Sequence, residues 1–223
     1  MKKEGKSFIV LMMLQRRCGD MQMDDFLMEV LGLEDPKLIW QVSQIAETRR
    51  IRKGQLLFEE GKRPGFVALL VRGVFRSYFF DLEGRDITDC IVWKSGDSVM
   101  PGYDVQAIAP ASTEALADSA VFCLPVGELM ALMKEYPVVM QLYQDKLRLS
   151  GEYHMEVKRV VCSLPAAERY QWFLQKYPGL IDRIPNRYVA SFLNMTPVTL
   201  SRIRKHLREA DGFRESSAGG RAG

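Results

Sequence analysis

The sequence predicts an α+β protein in which a β region is followed by one long helix and then a small basic helical end. Three observations carry that prediction. Between Ile51 and Leu124, Gly54, Gly61, Gly73, Gly84 and Gly96 punctuate short runs rich in β-branched and aromatic residues. Evenly spaced short strands with turn residues between them indicate a sandwich or barrel. After Pro137 the chain runs to Leu164 without another proline, and its apolar residues recur at helical spacing. Beyond that helix the charge changes sign.

Residues 1–23 are read as a disordered leader. The run Phe8–Leu14 is seven residues long, short for a signal sequence and far too short to span a bilayer, and no small-x-small cleavage site follows it. An upstream start, with Met21 or Met23 as the usual one, is the alternative reading. In residues 24–47, Phe26, Leu27, Val30, Leu31 and Leu33, then Leu38, Ile39, Val42 and Ile45, predict two helices separated at Pro36. Strands are expected at 56–58, 66–71, 74–80, 87–93 and 120–124, with Asp81-Leu82-Glu83-Gly84 as a hairpin turn. Residues 24–136 then form one β domain.

Residues 137–164 form the long helix. Val139, Leu142, Leu149, Tyr153 and Val160 make one stripe, and Met140, Tyr143, Leu147, His154, Val157 and Val161 make a second beside it. Two stripes imply two partners, the β domain and a second copy of the helix, so the first stripe is expected to dimerise. A single broad face within one chain is the alternative. Residues 165–210 are expected to be a basic helical domain and 211–223 a disordered tail.

The net charge of +3 divides unevenly. Residues 1–145 hold 17 Lys and Arg against 21 Asp and Glu, whereas residues 146–223 hold 14 against 7. No acidic residue lies between Asp182 and Glu209, a span containing Arg183, Arg187, Arg202, Arg204, Lys205 and Arg208. A basic module at one end points to a polyanionic partner. The composition, 47% apolar and 26% charged, excludes a disordered chain, a collagen or a coiled-coil rod. Cys18, Cys90, Cys123 and Cys162 are far apart and without neighbouring histidines, which argues against a zinc or iron–sulfur site and for thiols in a reducing cytoplasm. The β region contains no histidine, so a metal-dependent enzyme on this scaffold is disfavoured and no catalytic residue is assigned.

The sharpest motif runs from Ile184 to Lys205 and predicts two short helices joined by a tight turn. Val189 and Leu193 share a face of the first, and Ala190 allows close helix approach. Asn194 falls where a left-handed residue is needed. Thr196 is a good N-cap and Pro197 a good first helical residue. On the second helix Leu200, Ile203 and Leu207 point inward, and Val198, Arg202 and Lys205 point outward. Short side chains followed by cations suit entry into a DNA major groove. Arg202 is expected at a base edge, Thr196, Pro197, Thr199 and Ser201 at bases or phosphates, and Val198 at a thymine methyl. Arg187, Arg204, Lys205 and Arg208 are expected at phosphates. The competing reading is a small-ligand sensor whose helix-turn-helix contacts a protein.

These residues, with Lys53-Gly54-Gln55-Leu56-Leu57-Phe58-Glu59-Glu60-Gly61, Val71-Arg72-Gly73-Val74-Phe75-Arg76 and Thr113-Glu114-Ala115-Leu116-Ala117-Asp118-Ser119, resemble the Crp/Fnr (cyclic-AMP receptor protein/FNR) family of transcription regulators over about residues 25–210. The resemblance implies an N-terminal double-stranded β-helix, that is, a jelly roll of the cyclic-nucleotide-binding type. It implies a long dimerisation helix and a C-terminal winged helix-turn-helix as well. The wing would lie around Gln171–Arg183 or after Leu207, where the sequence carries little β signal. The partners implied are a second subunit, double-stranded DNA with a pseudo-palindromic operator, and RNA polymerase, all cytoplasmic and with no membrane.

The family's phosphate-binding cassette, Gly-Glu-Leu followed by Arg-Ser/Thr-Ala, is not matched. Pro101 stands near the expected Glu, and Ala109-Pro110 replaces Arg-Ser. No Arg or Lys lies between Lys94 and Lys134, so the charge-assisted contact to a cyclic phosphate is missing and cyclic AMP is disfavoured. Heme and iron–sulfur clusters are disfavoured too, since Cys18 stands alone. Arg72, Arg76, Trp93, Met100, Tyr103 and Ser112 are the candidate pocket for an unknown small-molecule effector, with plain core packing as the alternative.

Overall fold

A computed structural model describes the backbone of residues 22–218 and the side chains of residues 22–209. The expected leader therefore lies outside the described residues, except for its last two positions. The chain divides into two compact units, 1–79 with 89–151, and 80–88 with 152–223. This differs from the expected partition. The division falls inside the long helix, and residues 80–88 join the second unit.

In the first unit, α1 (Met23–Asp25) runs into a π-helical stretch, Phe26–Val30, and α2 spans Pro36–Ile45. Asp35 starts α2: its carboxylate accepts from the backbone N–H of Lys37 at 2.9 Å, and Pro36 occupies the first turn, where no N–H is needed. Seven strands follow: β1 (Glu47–Ile51), β2 (Leu56–Phe58), β3 (Phe66–Arg72), β4 (Phe75–Phe80), β5 (Asp86–Val92), β6 (Ser112–Ala115) and β7 (Ser119–Pro125). They form one sheet of order β1-β7-β3 and another of order β2-β6-β4-β5. β1 pairs antiparallel with β7 from Glu47↔Cys123 to Ile51↔Ser119. β6 lies between β2 and β4, pairing Arg76 with Glu114 and Ser77 with Thr113.

β7 shows why two sheets form. Strand side chains alternate between faces. Ala120, Phe122 and Leu124 enter one core with Phe26, Leu27, Leu38, Val42, Leu129 and Leu132 from the helices. Val121 and Cys123 enter the other, with Phe58, Leu70, Phe75, Val92 and Val99 inside the roll. A strand buried on both faces reads as a continuous apolar run, which is what Ala120–Leu124 is. Each fully buried Leu or Phe contributes about 1.5–3 kcal/mol relative to exposure.

α3 (Val126–Glu135) leads into α4 (Pro137–Ser163), 27 residues and so about 40 Å long. Two of the residues expected to dimerise prove to be internal. Val139 belongs to the helical core of the first unit, and Val160 is equally buried. Spacing placed them on the stripe, but a helix wheel cannot tell which stripe the chain itself will cover. Leu142 and Tyr153 are half-buried, and Leu149 is 50% exposed.

The second unit holds the end of α4, then α5 (Ala166–Lys176), a 3₁₀ turn at Leu180–Asp182, α6 (Asn186–Phe192) and α7 (Pro197–Ala218). Its core is aromatic: Phe173 stacks on Tyr177 at 4.8 Å, and Phe192 meets both edge-on. The expected wing is not found. Among the described residues no strand follows β7. α5 occupies 166–176, and α7 continues through Ala218 into the segment expected to be a tail. No proline or other firm stop interrupts residues 206–218, so helix propagation continues where the sequence reading ended it.

Candidate nucleic-acid interface

The turn between α6 and α7 rests on one backbone conformation. Asn194 has φ of 48°, the only positive φ at a non-glycine among the described residues. Asn tolerates that region because its short polar side chain costs less there than a bulkier one. The Leu193 N–H donates to Val189 O, Asn194 N–H to Ser191 O and Met195 N–H to Ala190 O, all within 3.0 Å. Thr196 then caps α7: its Oγ1 accepts from the Thr199 N–H at 3.1 Å and lies 2.9 Å from the Thr199 hydroxyl. Pro197 opens the helix. Val189, Ala190, Leu193 and Leu200 are fully buried, which locks the two helices against each other.

The buried Leu200 leaves the opposite side of α7 outside. Val198 is 59% exposed, and Ser201, Arg202, Lys205 and Arg208 are exposed as well. They occupy one side over about three turns. Lys205 Nζ approaches Glu209 at 3.8 Å, a surface pair of little strength.

Four of the residues expected at DNA have partners within the chain. Arg204 is only 18% exposed; its Nη1 donates to Asn186 Oδ1 at 2.6 Å, and its Nη2 lies 3.9 Å from Asp182. That geometry ties the start of α6 to α7 rather than presenting a free cation. Thr196 and Thr199 bond each other at the cap. Arg187 lies over the Tyr188 ring at 4.6 Å and donates to its hydroxyl, with its charge still exposed.

Two residues that the sequence reading missed support the same helices. Arg169 on α5 donates from Nη1 to the carbonyls of Leu193 and Asn194. Ser191 on α6 donates to Asp86 O at 2.9 Å and accepts from the Thr88 N–H at 2.8 Å, binding the 80–88 hairpin that belongs to this unit. Both contacts join segments distant in sequence, so no local pattern signals them.

The effector candidates lie in varied surroundings. Arg76 is 2% exposed and bonds Glu114 at 2.6 Å, with its guanidinium 4.1 Å over Tyr78. Its charge is thus met within the protein. Met100 packs against the roll core, Trp93 is buried, and Ser112 Oγ accepts from the Glu60 N–H. Arg72 is half-buried and Tyr103 half-exposed. Burial, with Asp89 and Cys90 adding to it, pushes the Tyr103 phenol above its ordinary value. An open cleft of about 240 Å³ is lined by Leu56–Glu59 and Lys62–Phe66 and includes none of the six. Among the described residues no group of three His, Cys, Asp or Glu could hold a metal ion, and no helix is long and apolar enough to cross a membrane.

The architecture is that of a β-roll joined through a long helix to a helix-turn-helix. The chain is structurally similar across most of its length to Crp/Fnr family regulators. One such structure, FixK2 from Bradyrhizobium japonicum, aligns with a TM-score of 0.67 and 19% identity over 75% of this chain and 86% of that one. CLP of Xanthomonas campestris, described as a c-di-GMP responsive global regulator, aligns at 0.63 and 15% over 80% and 93%. A crp/fnr-family transcriptional regulator from Eubacterium rectale aligns at 0.60 and 16% over 83% and 88%. At these identities the likeness is one of fold. No protein-family model and no curated protein matches the sequence.

Proposed function

We propose that the chain is a cytoplasmic, homodimeric, sequence-specific DNA-binding transcription regulator of the Crp/Fnr type, not an enzyme. The observation that carries this is the outer side of α7. Val198, Ser201, Arg202, Lys205 and Arg208 are exposed together on a helix whose entry is held by a left-handed Asn194 and a threonine cap. Small side chains near the N-terminus let the helix approach base edges, and the cations beyond them meet guanine and phosphate. Two copies would read a pseudo-palindrome with half-sites about 34 Å apart. RNA polymerase would be a further partner if the regulator activates transcription.

A gel-shift titration against random duplex over a range of salt tests the reading. Affinity should fall steeply as salt rises, because phosphate contacts release counterions. No affinity at low salt would leave the protein-docking alternative.

The regulator works without cyclic AMP in this reading. The loop between β5 and β6 supplies no cation after Lys94, and Arg76 is engaged by Glu114. Placing a cyclic phosphate against Arg76 would strip Glu114 of its partner in a buried site, a costly exchange. Calorimetry with cyclic AMP should show no heat of binding at micromolar protein, and a saturating isotherm would overturn the point. Heme and iron–sulfur clusters are likewise left out of the proposal, and the roll's effector, if it has one, is of another chemistry.

A further inference from the structure

We propose that Arg169 is a positioning residue for DNA reading: its guanidinium clamps the turn of the helix-turn-helix and thereby sets the direction in which α7 is presented. The proposal rests on the DNA-binding reading above. Its basis is geometric. Arg169 Nη1 lies 2.7 Å from the carbonyl oxygen of Leu193 and 3.0 Å from that of Asn194. These two residues end α6 and make the turn. The Leu193 N–H already donates to Val189 O and the Asn194 N–H to Ser191 O, so their carbonyls remain to be satisfied. A single guanidinium satisfies both. It also places a positive charge at the C-terminal end of α6, where the helix dipole favours one.

Arg169 Nε is buried without a hydrogen-bond partner, so the polar contacts of the guanidinium to the turn run through Nη1. Asn194 is the residue with φ of 48°, and α7 begins three positions later at Pro197. The backbone of 194–196 therefore decides the angle between α6 and α7, and Arg169 grips the first of those residues from a third helix. Reading base edges needs side chains placed within about 0.5 Å and 10–20°. Attraction to phosphates tolerates far more spread, since it is a long-range charge effect. Releasing the clamp should therefore reduce discrimination between sequences more than total affinity.

The experiment uses the full chain and a duplex selected by the wild-type protein from random sequence. Affinity for that duplex and for random duplex is measured across salt for wild type, Arg169→Gln and Arg169→Lys. Amide hydrogen exchange is followed at 193–195 without DNA. Arg169→Gln should lower the specific-to-random ratio tenfold or more, leave the salt slope on random duplex unchanged, and speed exchange at the turn. Arg169→Lys keeps the charge and much of the packing but loses the planar fork, so it stays folded and its ratio falls several-fold. A folded variant of either kind that keeps the wild-type ratio within twofold overturns the role of Arg169. Wild-type protein without salt-dependent affinity for any duplex overturns the DNA reading, and this proposal with it.

Discussion

Arg202 and Lys205 stand one turn apart on α7, and both are exposed cations, yet they should behave differently. Arg202 sits nearer the helix N-terminus, beside Val198 and Ser201, the end that would enter a groove under the proposed function. Arg202→Ala should cost about 1–3 kcal/mol on the selected duplex and relax preference at one base pair. Lys205→Ala should weaken all duplexes alike and reduce the salt slope by about one. Equal effects of the two substitutions on selected and random DNA would remove the distinction. Asn194 was legible because few residue types tolerate its conformation. Arg204 was not: its charge pointed to a phosphate, and only the folded chain shows its guanidinium turned to Asn186.

Single elements carry the scaffold in different ways. The turn from β3 to β4 depends on Gly73, whose φ is 114°. A Cβ there would stand 2.0 Å from Ser119 Oγ, the hydroxyl that accepts from the Val74 N–H and donates to Ala117 O. Gly73→Ala therefore adds backbone strain, a clash and two broken hydrogen bonds, on the order of 3 kcal/mol. Thermal unfolding should show a clear drop in Tm, whereas Gly65→Ala, which meets open space at an unstrained φ, should leave it close to wild type. Two strands, β1 and β6, were not expected from the sequence, and the omission has a physical cause. β1 is a polar strand, Glu47-Thr48-Arg49-Arg50-Ile51, at the sheet edge, and β6 is only four residues long, so neither carries a strong apolar pattern. β7, buried on both faces, was plain. The wing was expected from resemblance alone, and the local sequence, rich in helix formers, went the other way.

At the scale of the whole molecule, the proposed dimer would cover the remaining apolar stripe of α4. Val138, Leu142 and Leu149 lie within about 40° of one another on the helix. Val138 and Leu149 are exposed and Leu142 half-buried, in contrast to the inward Val139. A second copy of α4 would bury that stripe and set two α7 helices against one duplex. Leu149→Asp should then shift the sedimenting species from dimer to monomer at micromolar concentration and weaken binding to the selected duplex more than tenfold. A variant that sediments as a dimer would exclude this stripe from the interface.

The amino-acid order by itself determined the succession of β-roll, long helix and basic end, the cap and turn chemistry from Asn194 to Pro197, and the concentration of positive charge after Asp182. Those features are written in short-range patterns: glycine spacing, helical periodicity, residues with narrow backbone tolerance. Only the tertiary structure decided which stripe of α4 the chain keeps for itself, which cations of the reader stay free, and that Arg76 answers to Glu114 and Arg169 to the turn. Each of these depends on a partner tens of residues away, and pairings at that distance are fixed by packing, not by local sequence.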